Sequence, residues 1–354
     1  GKTTLLRHLF PHADYVLLED PDWVARIKAD PHGFLAELSF PVILDEIQNT
    51  PELFNYIRTL IDADPSRKGR WLLTGSQEAP LMQHVTESMA GRAAVFQLLP
   101  FSKEESDKVS PFTGGYPEVV GNPAAADLWF RSYIQTYLER DIRGMSAIRD
   151  LSVYRRFMAL LASRSGQMLN KTDIAAPLGV SVPTITQWLS MLEITGQILL
   201  IQPYYENFGK RLVKTPKLYF VDSGLLCHLL GIRNKSALRD SPFCEAVHES
   251  FVAAEIVKHR LNRGLEKNLY YFRDRQGLEV DFLIDQGNNE LLLLEVKASN
   301  TPKPGDALPM QSLMKNMKHK TATAWLAHTG TKQTSPVLAP GVKAISINNL
   351  TTIL

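Results

Sequence analysis

Gly1-Lys2-Thr3-Thr4 opens the chain with residue types suited to holding phosphate. The run has the form of the closing half of G-x-x-x-x-G-K-[ST]. In that motif backbone N–H groups at a helix start cradle phosphates, the lysine reaches the β- and γ-oxygens, and the hydroxyl holds Mg²⁺. Those roles fall on Gly1, Lys2 and Thr3, with Thr4 beside them, and the expected sheet lacks the strand and loop half that precede such a motif. Downstream, the apolar run Val42-Ile43-Leu44 ends in Asp45-Glu46. A carboxylate delivered at the C-terminal end of a strand can hold the metal's water shell, and a following Glu can orient or deprotonate an attacking water. Trp71-Leu72-Leu73 ends in Thr74-Gly75-Ser76, with hydroxyls where a γ-phosphate sensor would sit. Taken singly, Asp45-Glu46 also reads as a helix cap with an acidic first turn, and Thr74 to Ser76 as a plain turn. Taken in this order, the three segments imply a nucleotide site for ATP and Mg²⁺. Arg92, in Ala90-Gly91-Arg92, stands where an arginine finger toward a neighbour's γ-phosphate can be placed, and equally reads as a surface or capping arginine.

A second set of charges lies near the other end. Glu249 falls in a helical stretch, Asp281 on one strand, and Glu295 and Lys297 on another. The strand period of two puts Glu295 and Lys297 on one face. Two carboxylates there can hold Mg²⁺ or Mn²⁺ while Lys297 activates water. Glu-x-Lys is also compatible with an ordinary cross-strand ion pair. Its emergence from the apolar run Leu291-Leu-Leu-Leu294, where unpaired charge is costly, favours a site. The order Glu, Asp, Glu-x-Lys resembles a PD-(D/E)xK nuclease core, which implies metal ligands at Glu249, Asp281 and Glu295 and a catalytic Lys297.

Positioning these groups requires several domains, and 354 residues with a 44% hydrophobic share suffice for two or three. Short apolar runs at 15–18, 40–44, 71–73 and 93–96, separated by helical stretches, predict a parallel α/β sheet buried on both faces. The expected boundaries are a phosphate-loop ATPase domain over 1–102, a helical connector over 103–165, a winged helix-turn-helix over 166–232 and a nuclease-like α/β domain over 243–354. Within the last, strands are expected near 269–273, 279–284, 290–297, 321–327 and 342–347, with a helix near 308–318. Two cysteines are too few for a disulfide framework, no apolar stretch approaches the ~20 residues of a membrane span, and a cytoplasmic location is expected.

The net charge of +2 conceals an uneven distribution, because residues 131–217 hold twelve Lys and Arg against six Asp and Glu. Asn170 to Val180 followed by Ser181 to Leu192 reads as helix, glycine turn, helix, with Ser181 as cap and Ile185, Leu189 and Leu192 as the buried stripe. Two strands near 197–202 and 217–221 flank a basic loop, and Lys210, Arg211, Lys214 and Lys217 read together as one basic cluster. If the second helix enters a DNA groove, base readout falls to Thr184, Thr186, Gln187 or Ser190, and Lys210, Arg211 and Lys214 supply the phosphate contacts. That helix carries no Lys or Arg, and the same architecture also serves to pack or to bind protein.

The chain resembles the prokaryotic ATP-binding proteins that join an AAA-type ATPase domain to a C-terminal domain of unknown function, DUF4143. Beside the nucleotide motifs, Leu44-Asp-Glu-Ile-Gln48, Pro100-Phe-Ser102, Gly114-Gly-Tyr-Pro117, Tyr137-Leu-Glu-Arg-Asp141, Tyr219-Phe-Val-Asp-Ser-Gly-Leu225, Glu279-Val-Asp281 and Glu295-Val-Lys297 carry the resemblance. It implies an ATPase with a winged-helix segment and a nuclease-like region, ATP and Mg²⁺ as cofactors, and DNA, a protein partner or a second copy as partners. Two alternatives stay open: a nucleotide-dependent switch that docks a protein without chemistry, and a DNA nuclease that ATP regulates.

Overall fold

The computed structural model describes residues 1–75, 88–138, 151–204, 215–317, 321–331 and 337–354. They divide into two compact units, 1–98 and 99–354.

In the first unit, β1 (Asp14–Leu17), β2 (Val42–Asp45) and β3 (Trp71–Leu73) form a parallel sheet in that order. Every residue of β2 is buried, as a central parallel strand covered on both faces requires. The helices are α1 (Lys2–Leu9), α2 (Pro21–Ala29), α3 (Pro31–Ala36) and α4 (Leu53–Ala63). Asp20 and Asp30 set the starts of α2 and α3: their carboxylates accept from Asp22 N and Gly33 N, each at 2.9 Å, and a proline follows each. Phe34, Phe54 and Ile57 close the core against Val42 and Leu44. The strand expected at 93–96 does not form. An apolar tetrapeptide becomes a strand only beside an edge that pairs it, and none among the described residues does. Val95 and Phe96 are 59% and 76% exposed.

The second unit begins with α5 (Pro117–Gly121), α6 (Ala126–Tyr133) and α7 (Leu151–Ser163), then α8 (Lys171–Leu178) and α9 (Val182–Ile194). Asn170 caps α8, Gly179 ends it at φ +68°, and Ser181 caps α9, so the expected helix, turn and helix are present. Ile185, Leu189 and Leu192 are buried as predicted, together with Trp188 and Met191. Next come β4 (Ile198–Pro203), β5 (Lys217–Phe220), α10 (Ser223–Leu229), α11 (Lys235–Asp240), α12 (Cys244–Leu261), β6 (Leu269–Arg273), β7 (Glu279–Gly287), β8 (Glu290–Lys297), α13 (Leu308–Asn316), β9 (Thr321–His328), β10 (Val337–Ala339) and β11 (Val342–Ser346).

These eight strands form one sheet, in the order β10-β11-β9-β8-β7-β6-β4-β5. The strand pair expected to complete a separate unit over 166–232 is therefore joined to the C-terminal strands, because β4 pairs in parallel with β6 at Gln202–Tyr270 and Pro203–Tyr271. Helix α12 is buried along most of its length and packs against both β5 and β8.

Three of the segments that carry the family resemblance meet in this unit. Phe101 N donates to Gly115 O at 2.7 Å, Gly115 N donates to Asp222 Oδ2 at 2.7 Å, and Leu225 N donates to Asp222 Oδ1 at 2.8 Å. A Cβ on Gly115 would stand 2.0 Å from the Phe101 carbonyl oxygen, and one on Gly224 would stand 2.3 Å from that of Thr113. Both neighbours are backbone and cannot swing aside. Gly115→Ala is therefore expected to destabilise the chain by about 1–3 kcal/mol or more in urea denaturation. Gly121→Ala, where a Cβ meets nothing within 4 Å, should be neutral or slightly stabilising; equal losses from both would contradict the steric reading.

Candidate functional site

In the first unit, the strand ends and the start of α1 converge on Asp45. Thr3 Oγ1 donates to Asp45 Oδ2 at 2.7 Å, the Tyr15 hydroxyl donates to the same oxygen at 2.8 Å, and Thr74 Oγ1 donates to Oδ1. The Lys2 ammonium donates to the carbonyl of Gly75. Burial pushes the Asp45 carboxyl up. The hydrogen bonds from Thr74, Thr3 and Tyr15, with the charge of Lys2, outweigh burial and hold it below the ordinary value. Burial and the bond to Asp45 push the Tyr15 phenol up to about 12. Glu46 follows in the left-handed region at φ +60°, a conformation that costs a residue with a Cβ about 1–2 kcal/mol. The chain turns sharply there, and the Glu46 side chain accepts from Gln48 Nε2.

The sequence-predicted Lys2, Thr3, Asp45 and Thr74 are thus brought together, and Glu46 adjoins them. Gly1 caps α1, and Thr4 is exposed. Ser76 lies outside the described residues. Arg92 makes a two-pronged pair with Asp62, at 2.6 and 3.0 Å, and donates to Ala90 O, which fits the plainer reading of a surface arginine. Tyr15 was not foreseen; its signal is a lone hydroxyl-bearing residue on the strand next to the one that ends in Asp45.

The second unit gathers a larger set of charges at one end of its sheet. Glu249 accepts from the Tyr219 hydroxyl at 3.1 Å, Asp281 Oδ2 accepts from Val296 N at 2.9 Å, and Lys297 Nζ donates to Glu295 Oε1 at 3.0 Å. A bulge aims Asp281: between the pairs Tyr270–Leu283 and Phe272–Val280, two β7 residues stand opposite Tyr271 alone. Lys217, 3% exposed, pairs with Glu279 and lies within electrostatic reach of Asp281 and Glu249. Glu279 also pairs with Arg273 at 2.7 Å, and Lys297 approaches Glu245 at 3.7 Å.

Desolvation dominates here. Burial, then the nearby Asp281 charge, raises Glu249 and Glu295 each to about 8, and burial raises Asp281 against the pull of Lys217. Among the described residues, no three His, Cys, Asp or Glu side chains form a metal cage, Glu249, Asp281 and Glu295 included. Tyr219, Val296 N and Lys297 each engage one of those carboxylates. Lys217 was counted with the basic loop from sequence and belongs instead to this pocket. Its signal was the one applied to Glu295, a charge adjoining an apolar strand. Lys210, Arg211 and Lys214 lie outside the described residues; on α9, Thr186, Gln187 and Ser190 are exposed and Thr184 is half-buried.

A parallel sheet whose strand ends bring a lysine, hydroxyls and a depressed carboxylate to the start of a helix is the α/β arrangement of an AAA-like domain. The comparisons with known proteins agree. An "AAA domain" family model matches residues 1–106, a "Domain of unknown function (DUF8612)" matches 111–236, and a "Domain of unknown function (DUF4143)" matches 245–350. The chain is 31% identical over 311 residues to an uncharacterized protein of Mycobacterium tuberculosis, covering 85% of this chain and 69% of that protein. An uncharacterized protein of Methanocaldococcus jannaschii is 21% identical over 360 residues, covering 90% and 77%. The chain belongs to the family of the mycobacterial protein and joins an AAA domain to a DUF4143 domain, as the sequence motifs implied. No helix among the described residues is long and apolar enough to cross a membrane.

The raised carboxyls set a direction for pH. Glu249 and Glu295 keep protons in the folded chain that the unfolded chain releases above about 4.5, so folding is favoured below that value and the advantage is lost as pH rises toward 8. Tyr219, Lys217 and Glu245 face Glu249, and Lys297 and Asp281 face Glu295. Stability from denaturant melts should therefore fall between pH 5 and 8 by about 2 kcal/mol or more. Glu295→Gln should flatten that slope, and an unchanged slope in the variant would refute the assignment.

Proposed function

We propose that this protein is an ATPase of the AAA type, with the nucleotide held by Gly1, Lys2, Thr3, Thr4, Asp45, Thr74 and Ser76. The observation that carries the reading is Asp45, kept ionised by three hydroxyls and a lysine drawn from three separate chain segments. The donor set fits Mg²⁺: Thr3 supplies a hydroxyl, and Asp45 a carboxylate beside it. When bound there, Mg²⁺ would neutralise phosphate charge. Lys2 gives up its carbonyl partner to bind a phosphate oxygen. Glu46, turned out of the strand line at its left-handed residue, orients the attacking water and accepts its proton.

The DUF8612 and DUF4143 parts form the DNA-directed half of this reading. Support comes from helices α8 and α9 with a polar exposed face on α9, and from the basic residues Lys210, Arg211 and Lys214 in the sequence. The nuclease-like charges are read as an arrangement without cleavage, because Lys217 and Lys297 already supply positive charge among the carboxylates. That favours the nucleotide-dependent switch over an ATP-regulated nuclease. A cytoplasmic setting fits the two unpaired cysteines, Cys227 and Cys244.

Calorimetry with ATP and Mg²⁺ on a chain carrying the complete phosphate loop is expected to show binding that Lys2→Ala abolishes. Glu46→Gln should keep binding and slow hydrolysis roughly tenfold or more. Equal ATP affinity in wild type and Lys2→Ala would overturn the site. For the DNA-directed half, replacing Lys210, Arg211 and Lys214 together by Ala should weaken DNA binding across sequences and flatten the log–log salt slope by up to about three. An unchanged titration would shift support to a docked protein partner.

A further inference from the structure

The pocket at the end of the eight-stranded sheet contains an imbalance that its own residues partly resolve. Among the described residues, five carboxyl groups, those of Glu245, Glu249, Glu279, Asp281 and Glu295, meet three cations, Lys217, Arg273 and Lys297, with Glu249 and Glu295 the two whose protons burial retains. Arg273 and Lys297 are each about a third exposed at their side chains and sit at the margins. Lys217 differs. Its side chain is 4% exposed, its ammonium pairs with Glu279, and its charge is felt by Asp281 and Glu249, carboxylates on a strand and a helix that it does not share. An ammonium moved from water to such a site costs several kcal/mol unless the surrounding charges compensate for it.

The backbone holds Lys217 there from both sides. It is the register partner of Ile201 on β4, and it bridges to Met168 on its other edge. Leu169 N donates to Pro216 O at 2.9 Å, and Gly166 N donates to Leu218 O at 2.7 Å. The face of the Tyr271 ring, 5.4 Å from Nζ, adds a cation–π contact. A second observation concerns Glu295, 6% exposed: its buried oxygen Oε2 has no hydrogen-bond partner among the described residues.

We infer that Lys217 is the resident cation of this carboxylate pocket, a chain-borne charge that a divalent ion must displace in order to enter. Lys217 comes from the DUF8612 region, and the carboxylates around it, Glu249, Glu279 and Asp281, from the DUF4143 region. The ammonium thus ties the two regions together electrostatically, in addition to the β4–β6 pairing. The inference does not depend on ATP binding, which concerns other residues.

Mn²⁺ alone, titrated into the full chain by calorimetry, tests it. Wild type should show no ion bound in an Asp281-dependent way at micromolar concentrations. Lys217→Met, which keeps the stem and removes the charge, should bind one Mn²⁺ with affinity raised roughly tenfold or more, and adding Asp281→Asn should abolish that binding. Lys217→Arg, which keeps the charge, should behave as wild type. The Asp281→Asn background separates this ion from any held near Asp45. Asp281-dependent Mn²⁺ binding that is equally tight in wild type, Lys217→Arg and Lys217→Met would overturn the inference. If Lys217→Met unfolds, recovery of its cooperative melt by Mn²⁺ supports the inference, and failure to recover at millimolar Mn²⁺ overturns it.

Discussion

A carboxylate buried in a protein must be solvated by the chain itself, and this protein's organisation follows from how it meets that requirement. Asp45 is served by hydroxyls, Asp222 by main-chain N–H groups, and Glu255 by the Lys258 ammonium at 3.1 Å and Lys103 N at 2.6 Å. Asp281 is served by Val296 N and the charge of Lys217. Each solution draws donors from distant segments, so each carboxylate fixes a tertiary contact. The difference among donors also separates the roles. Hydroxyls and a lysine leave Asp45 ionised and able to exchange partners, as a ligand site requires. Main-chain donors on Asp222 cannot be withdrawn without unfolding the junction, so that carboxylate is structural.

The same distinction sorts the sequence motifs. Pro100-Phe-Ser102, Gly114-Gly-Tyr-Pro117 and Asp222-Ser-Gly224 look, as strings, no less chemical than the strand-end motifs of the first unit. Their side chains and glycines are spent on close backbone approach: Gly115 lies against Phe101, and Gly224 against Thr113. Lys258, which donates to Phe101 O at 3.0 Å, ties α12 to the same place.

What could be read from the sequence followed from periodicity and burial. The strands β1 to β3, the two helices around Gly179 and the strands β6 to β9 each have a local signature, and all formed within a few residues of expectation. The first site was legible because its residues close three local segments in one order. Tyr15 was not, because a hydrogen bond between neighbouring parallel strands leaves no mark on either string. The join of β4 to β6 was equally invisible, since a short parallel pairing between strands some 65 residues apart depends on where the intervening helices pack.

Lys217 shows the sharpest failure and its cause. Charge counting treats every lysine as a solvated cation, so a Lys close after Lys210, Arg211 and Lys214 joined their cluster. Yet Lys217 opens a strand whose residues are all buried, with Tyr219 facing Glu249 two residues on. A cation at the head of a buried strand must find anions, and the anions here lie on α12 and β7. The charge therefore counts toward the interior of the unit and must be subtracted from any polyanion-binding face. The same buried charge weighs against a preassembled metal cage: carboxylates already balanced by a fixed ammonium gain less from a divalent ion than free ones would, since the ion must first offset the cost of stranding the lysine.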